Sequence, residues 1–289
     1  MNGDAILPAI RARLAAALAT PHPRYREWRV DGATLGFVDD ARAARLERFG
    51  DVFVLSRDAV AFAAAVASFD ARCAALAAVA RALRADGELP AWRDELYAVA
   101  PSFGAPPAFL LERGAARWFG VRTYAAHVNG FVADGGAPRL WFARRSATKA
   151  VDPGMLDNLV GGGIAAGASV RDTVAREAWE EAGIAVELAR TARAVGALRL
   201  RRALRDGLQD ETLFVHDLAL AADFVPANQD GEATAHRLVD FAGAARIIAA
   251  GAGPDVATVD ASLVTLNFLL RHGVFAPDAP GYAEAATLV

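Results

Sequence analysis

The sequence predicts an α+β chain in two domains, and three observations carry that expectation. Its 289 residues exceed one ordinary domain and can bury more than one core. A proline-rich patch from Pro101 to Pro107 offers a boundary. Helices and short strands alternate before that patch, whereas strand patterns dominate from Tyr124 onward. The expected domains are residues 1–107 and 108–289, with the strand at Phe109–Glu112 open to either side.

Taken in order, Ile6–Ala19 is helical by period and alanine content until Pro21 and Pro23 break it. Arg29–Val38 reads as a strand pair around Asp31-Gly32, a hairpin dipeptide. Asp39–Phe49 returns to helix, Val52–Leu55 to strand, and Phe69–Ala85 to a longer amphipathic helix. In the second part, Ala125–Ala133 and Leu140–Arg144 form a hairpin across Asp134-Gly135-Gly136. After one helix come the strand pair Val195–Arg202 and Thr212–Leu218, a last strand at His236–Val239 and a closing helix at Val259–Leu270.

The helix between the strands carries the chemistry. In Gly162–Ile184, GGIAAGASVRDTVAREAWEEAGI, a glycine-rich approach leads into a helix with Ser169 and Asp172 as a capping box and Gly183 as its left-handed stop. With Glu177 at zero on a wheel of about 100° per residue, Glu181 falls near +40° and Glu180 near −60°. The three carboxylates share one face, while Ala175, Ala178 and Ala182 give the far side small residues that can lie close against a sheet. Clustered carboxylates repel unless a cation sits among them, and oxygen-only ligands favour magnesium, with manganese as the alternative.

The stretch resembles the Nudix box: Gly162, Arg176, Glu177, Ala178, Glu180, Glu181, Gly183 and Ile184 fill its positions in register. Ala168 stands where the family's first glutamate belongs. RTYAAHVNGFV (Arg122–Val132), LWFARRSATKAVDPGMLDNLVGGGIAAG (Leu140–Gly167), QDGE (Gln229–Glu232), WRDELYAV (Trp92–Val99) and FLLERGAARWFG (Phe109–Gly120) are similar to the Nudix subfamily with an extra N-terminal domain, called thiamine pyrophosphokinase-related. The resemblance implies an α/β/α sandwich with a mixed sheet, preceded by a small α+β domain. It implies magnesium-dependent cleavage of a diphosphate attached to an organic group, thiamine diphosphate or its oxidised analogues first and a nucleoside diphosphate derivative second. Glu177, Glu180 and Glu181 are the expected metal ligands, and Arg176 is expected to orient a box glutamate.

Around the box, Lys149 is the one lysine among 31 basic residues, so its compact ammonium rather than charge alone is the reason to keep it. Arg145, Lys149, Gly162 and Gly163 are the expected substrate contacts. Glu232 in QDGE reads either as a distal metal ligand or base, or as a surface-loop carboxylate.

Composition excludes other classes. A formal charge of −3 and a pI near 6.0 leave no electrostatic footprint for nucleic acid or an anionic membrane. No apolar run reaches the roughly 18 residues needed to span a bilayer. Asp4, Arg11 and Arg13 interrupt any signal-peptide pattern, so a cytoplasmic location is expected, with a homodimer compatible. The lone Cys73 excludes an internal disulfide and reads as a buried structural thiol, and the five histidines show no ligand spacing and are assigned no catalytic role. There is no P-loop, dinucleotide fingerprint or nucleophile elbow. Two rivals remain: a noncatalytic Nudix-like binding domain, suggested by Ala168, and an isomerase like isopentenyl diphosphate isomerase, for which the only cysteine lies far upstream of the box.

Overall fold

The computed structural model describes residues 3–19, 24–133, 135 and 137–289. The helix stop expected at Pro21 and Pro23 and two turn residues, Asp134 and Gly136, lie outside them. After helix α1 (Gly3–Leu18), β1 (Tyr25–Val30) and β2 (Ala33–Asp39) form the expected hairpin, with Asp31 at φ +50° and Gly32 at φ +82°. Asp39 accepts the N–H of Arg42 at 2.9 Å and so starts α2 (Asp40–Leu46). β3 (Phe53–Leu55), β4 (Ala59–Phe62) and α3 (Phe69–Ala85) follow, and the four strands order as β2-β1-β4-β3.

β5 (Leu96–Val99) and β6 (Phe109–Glu112) make a separate antiparallel hairpin. Tyr97, Val99, Phe109, Leu111, Phe119 and Val121 pack in the same core as Trp28, whose indole stacks on Phe109 at 4.9 Å between centroids. The junction expected at 107/108 thus falls inside this hairpin. Its apolar residues belong to the N-terminal core, which continues to Val121.

The second sheet contains β7 (Arg122–Val132), β8 (Arg139–Arg145), β9 (Leu156–Asn158) and β10 (Val160–Gly163). The chain then runs through α4 (Val170–Ala182) and the single turn α5 (Val186–Ala189). Next come β11 (Arg193–Leu204), β12 (Gly207–Ala219) and β13 (Ala233–Asp240), then α6 (Phe241–Ala249), α7 (Val259–Arg271) and the short α8 (Tyr282–Ala286). Its main path is β11-β12-β7-β8-β13, with β10 on β7 and β9 on β8. The β12–β7 pair is parallel and the others are antiparallel, giving a mixed sheet. Alternate residues of β7 enter opposite cores: Ala126 and Val128 under α4, Ala125 on the side of α6 and α7. The result is the α/β/α sandwich.

One helix changes domain. Ile6, Leu7, Ile10 and Leu14 of α1 are buried with α6, α7 and α8, not with the strands that follow α1 in the chain. Arg13 fastens it there, donating to the Ile248 carbonyl at 2.8 Å and to Ser262 Oγ at 2.7 Å. β4, β5, β9 and β10 escape the sequence reading. β9 and β10 are 3 and 4 residues long, and three of the four residues of β10 are glycines, the reverse of strand propensity.

Candidate active site

The box helix is built as its sequence dictates. Ser169 Oγ accepts the N–H of Asp172 at 3.1 Å, and Gly183 ends the helix at φ +64° with its N–H on the Trp179 carbonyl. Ala175, Ala178 and Ala182 are buried against the sheet, so the carboxylate face turns to β10.

There each glycine of β10 leaves room for side chains of other elements. A Cβ on Gly162 would lie 2.0 Å from the carboxyl carbon of Glu177, and one on Gly163 would lie 1.9 Å from the Tyr97 hydroxyl and 3.2 Å from Cζ of Arg113. A Cβ on Gly161 would meet the His127 ring at 3.0 Å. Gly162 and Gly163, the expected substrate contacts, thus admit protein side chains where a Cβ would stand, and both line the cavity described next.

Glu181 is buried and accepts the N–H of Gly161 at 2.8 Å. Burial, reinforced by the charge of Glu177, pushes its carboxyl up to about 8 despite that hydrogen bond. Glu177 is also buried and raised by burial, while Arg176 opposes the rise. Arg176 donates to Glu177 at 2.7 Å and to Glu180 at 2.8 Å. Within the described residues no group of three or more acidic, histidine or cysteine side chains stands ready as a metal cage, and Arg176 spans two of the three box carboxylates. Even so, the donor set suits a hard divalent cation: it is all oxygen, largely buried and short of positive charge at Glu181.

A cavity of about 240 Å³ lies along β10, lined by Glu177, Glu180, Asp157, Lys149 and Glu232 from the sandwich and by Arg93, Tyr97 and Arg113 from the N-terminal unit. The QDGE loop reaches it because the N–H of Gln229 donates to the Glu180 carbonyl at 2.7 Å and that of Ala227 to Ala182 at 3.0 Å, tying the loop to the end of the box helix. Glu232 forms an ion pair with Lys149, whose ammonium burial pulls below its ordinary pKa. The expected substrate contact and the expected distal carboxylate therefore hold each other.

Arg145, the other expected substrate contact, lines the cavity and has protein partners there. Its guanidinium donates to Asp157 at 2.7 Å and to the Val151 carbonyl at 2.8 Å, so it clamps a loop beside the cavity. Cys73 is half-buried on α3, its sulfur taking the Leu110 N–H at 3.2 Å, and it does not line the cavity, which removes the basis for the isomerase reading. Sequence reasoning missed Tyr97, Arg93, Arg113, Asp157 and His127. None carries a spacing signal, since folding brings them together from both domains.

A family model described as the NUDIX domain matches residues 123–255, and one described as a domain of unknown function, DUF4743, matches residues 11–123. Nudix hydrolase 24, chloroplastic, of Arabidopsis thaliana is 38% identical over 257 residues, covering 88% of this chain and 70% of its own length. The chain belongs to the Nudix hydrolase family. Nudix hydrolase 20, chloroplastic, of the same plant is 36% identical over 264 residues, with the same shares covered. Among solved structures, a C. elegans Ap4A hydrolase binary complex aligns with 53% of this Nudix hydrolase and 99% of its own chain, at 14% identity and a TM-score of 0.39. As a Nudix hydrolase the protein is a pyrophosphatase-type enzyme acting on diphosphate-linked small molecules, and members of the family generally use divalent ions such as magnesium or manganese.

Proposed function

We propose that this Nudix hydrolase cleaves thiamine diphosphate or its oxidised analogues, with magnesium or manganese held by Glu177 and Glu181 and joined by Glu180 once Arg176 yields it. The observation that carries the metal assignment is Glu181, a buried carboxyl beside Glu177 with too little positive charge near it. A bound divalent ion supplies charge stabilisation at the phosphoryl oxygens and a more acidic water. The chain's own residues do the rest. Arg176 bridges Glu177 and Glu180 and orients them. Lys149 can move from Glu232 to a phosphate oxygen, which frees Glu232 to accept a proton.

For the organic group, the cavity offers a second wall of Asp152, Glu211 and Asp260, the last two bridged by Gln209 Nε2 at 2.8 and 3.0 Å. Arg202 lies 3.8 Å from Asp260, Arg117 also lines the cavity and burial raises the Asp152 carboxyl. Glu211 is therefore the carboxylate of this wall left to face a leaving group carrying positive charge, as a thiazolium does, and this supports the narrower likeness over a nucleoside. Ala168 lies outside the residues that line the cavity; of the box carboxylates Glu177 and Glu180 line it, and Glu181 is buried behind the glycine strand, on the Gly161 N–H.

The test is phosphate release from a panel of diphosphates with magnesium or manganese. Thiamine diphosphate or its oxidised forms should give the highest kcat/KM. Preference for a nucleoside diphosphate derivative would replace the substrate assignment, and ligand binding without metal-dependent release would leave a binding domain.

A further inference from the structure

We propose that the N-terminal domain completes the active site: Arg93 and Arg113 form a cationic wall that binds the substrate's diphosphate oxygens across the cavity from the box helix. The inference rests on the diphosphatase reading above and assigns that domain a part in it.

Placement comes first. The glycine strand β10 is a thin partition. Glu177 fills the space at Gly162, and Arg113 with Tyr97 fills the space at the next residue, Gly163. Because successive residues of a strand face opposite ways, Glu177 and Arg113 meet β10 from its two sides, at neighbouring residues, and both line the same cavity. The guanidinium of Arg113 is close enough that its charge counters the burial-driven rise of Glu177, after the nearer Arg176. Docking of β5 is also fixed by backbone, because the Ala166 N–H, in the loop that leads into the box helix, donates to the Leu96 carbonyl at 2.8 Å.

Rigidity comes second. The buried carboxylate of Glu112 accepts the N–H of Arg93 at 2.8 Å and that of Gly114 at 3.0 Å. One oxygen therefore ties together the two backbone segments that carry the arginines. A Cβ on Gly114 would stand 2.4 Å from the Ala91 carbonyl oxygen, so the segments touch at backbone level. Arg113 is further held by Glu95, through its own N–H to the Glu95 carbonyl at 2.8 Å and through Nη1 to the Glu95 carboxylate at 2.6 Å. Such a pair loses little freedom on meeting an anion.

Charge comes third. The basic groups that reach the cavity are each paired with a carboxylate, Arg176 with Glu177 and Glu180, Arg145 with Asp157, Lys149 with Glu232 and Arg113 with Glu95, so none of them faces the cavity as a bare charge. Among the described residues the guanidinium of Arg93 makes a long pair, 3.9 Å to Glu232, and its side chain is 36% exposed. A diphosphate carries more negative charge than the engaged groups can neutralise, and a planar guanidinium takes two of its oxygens at once.

Arg93→Ala is the first variant, because that side chain is half-exposed and the protein should melt unchanged. Arg113→Lys is the second, since it keeps the charge that Glu95 and Tyr97 face but removes the fork. Both are compared with wild type in steady-state kinetics and in calorimetric binding of inorganic diphosphate with magnesium. Each should raise KM and weaken diphosphate binding by about tenfold or more, with kcat reduced less, as expected for losing a charge-assisted contact. Wild type that binds inorganic diphosphate through Arg93 yet hydrolyses nothing would defeat the diphosphatase reading while supporting this one. Wild-type turnover, with both variants unchanged in KM and in diphosphate affinity, would overturn the arginine wall alone.

Discussion

Replacing Glu181 by glutamine tests the electrostatics of the box directly. The amide keeps an oxygen for the Gly161 N–H and removes the charge. In the metal-free folded chain, burial and Glu177 push the Glu181 carboxyl from its ordinary 4.5 up to about 8. Between those values the folded protein holds a proton that the unfolded chain has lost, so this group's contribution makes stability fall as pH rises through that window. At about 1.4 kcal/mol per tenfold, the full penalty above pH 8 approaches 5 kcal/mol. Sharing of the proton with Glu177 and entry of water relieve part of it, leaving about 2 to 4 kcal/mol, or roughly 5 to 15 °C in a domain of this size. Melting in the presence of a chelator should therefore show Glu181→Gln equal to wild type near pH 4.5 and clearly more stable near pH 9. Magnesium at pH 9 should raise the melting point of wild type much more than that of the variant, and turnover of the variant should fall by about a hundredfold or more. A variant that melts below wild type at pH 9 without metal, or that keeps full turnover, would refute the reasoning.

Other substitutions follow from the same geometry. Gly162→Ala places a methyl 2.0 Å from the Glu177 carboxyl and must displace it, so kcat/KM should fall more than about tenfold with about 1 to 3 kcal/mol lost in denaturant melts; unchanged kinetics would mean that Glu177 is not needed where it stands. Lys149→Arg should raise KM several-fold at an unchanged melting temperature, because a planar fork cannot replace the compact ammonium between Glu232 and a phosphate; an unaltered KM would remove Lys149 from substrate binding. Ala168→Glu should change turnover only a few-fold, and a gain of two orders of magnitude would show a site crippled by the missing carboxylate. A chain begun at Ala108 would lose β5 and expose Phe109, Leu111 and Phe119, so it should show no cooperative melting; a folded, active fragment would contradict the shared core.

How much was legible in the sequence depends on the range of the interactions involved. The box helix, its Ser169 cap, its Gly183 stop and the common face of Glu177, Glu180 and Glu181 are matters of helical period and neighbouring residues, so they could be read directly. The Asp31-Gly32 hairpin is equally local, two residues with positive φ joining adjacent strands. The sequence by itself therefore determined the family, the box helix and the carboxylates on it. Only the tertiary structure decided their surroundings. It carried α1 across to the C-terminal helices, gave β5 and β6 to the N-terminal core, and turned a glycine run into the partition that Glu177 meets at Gly162 and Tyr97 with Arg113 at Gly163. It also spent Arg145 on Asp157 and joined Lys149 to Glu232, 83 residues apart in the chain. The physical reason is the same each time: burial and ion pairing follow distance in space, and no period or spacing along the chain records which distant side chain fills a gap where a Cβ is missing.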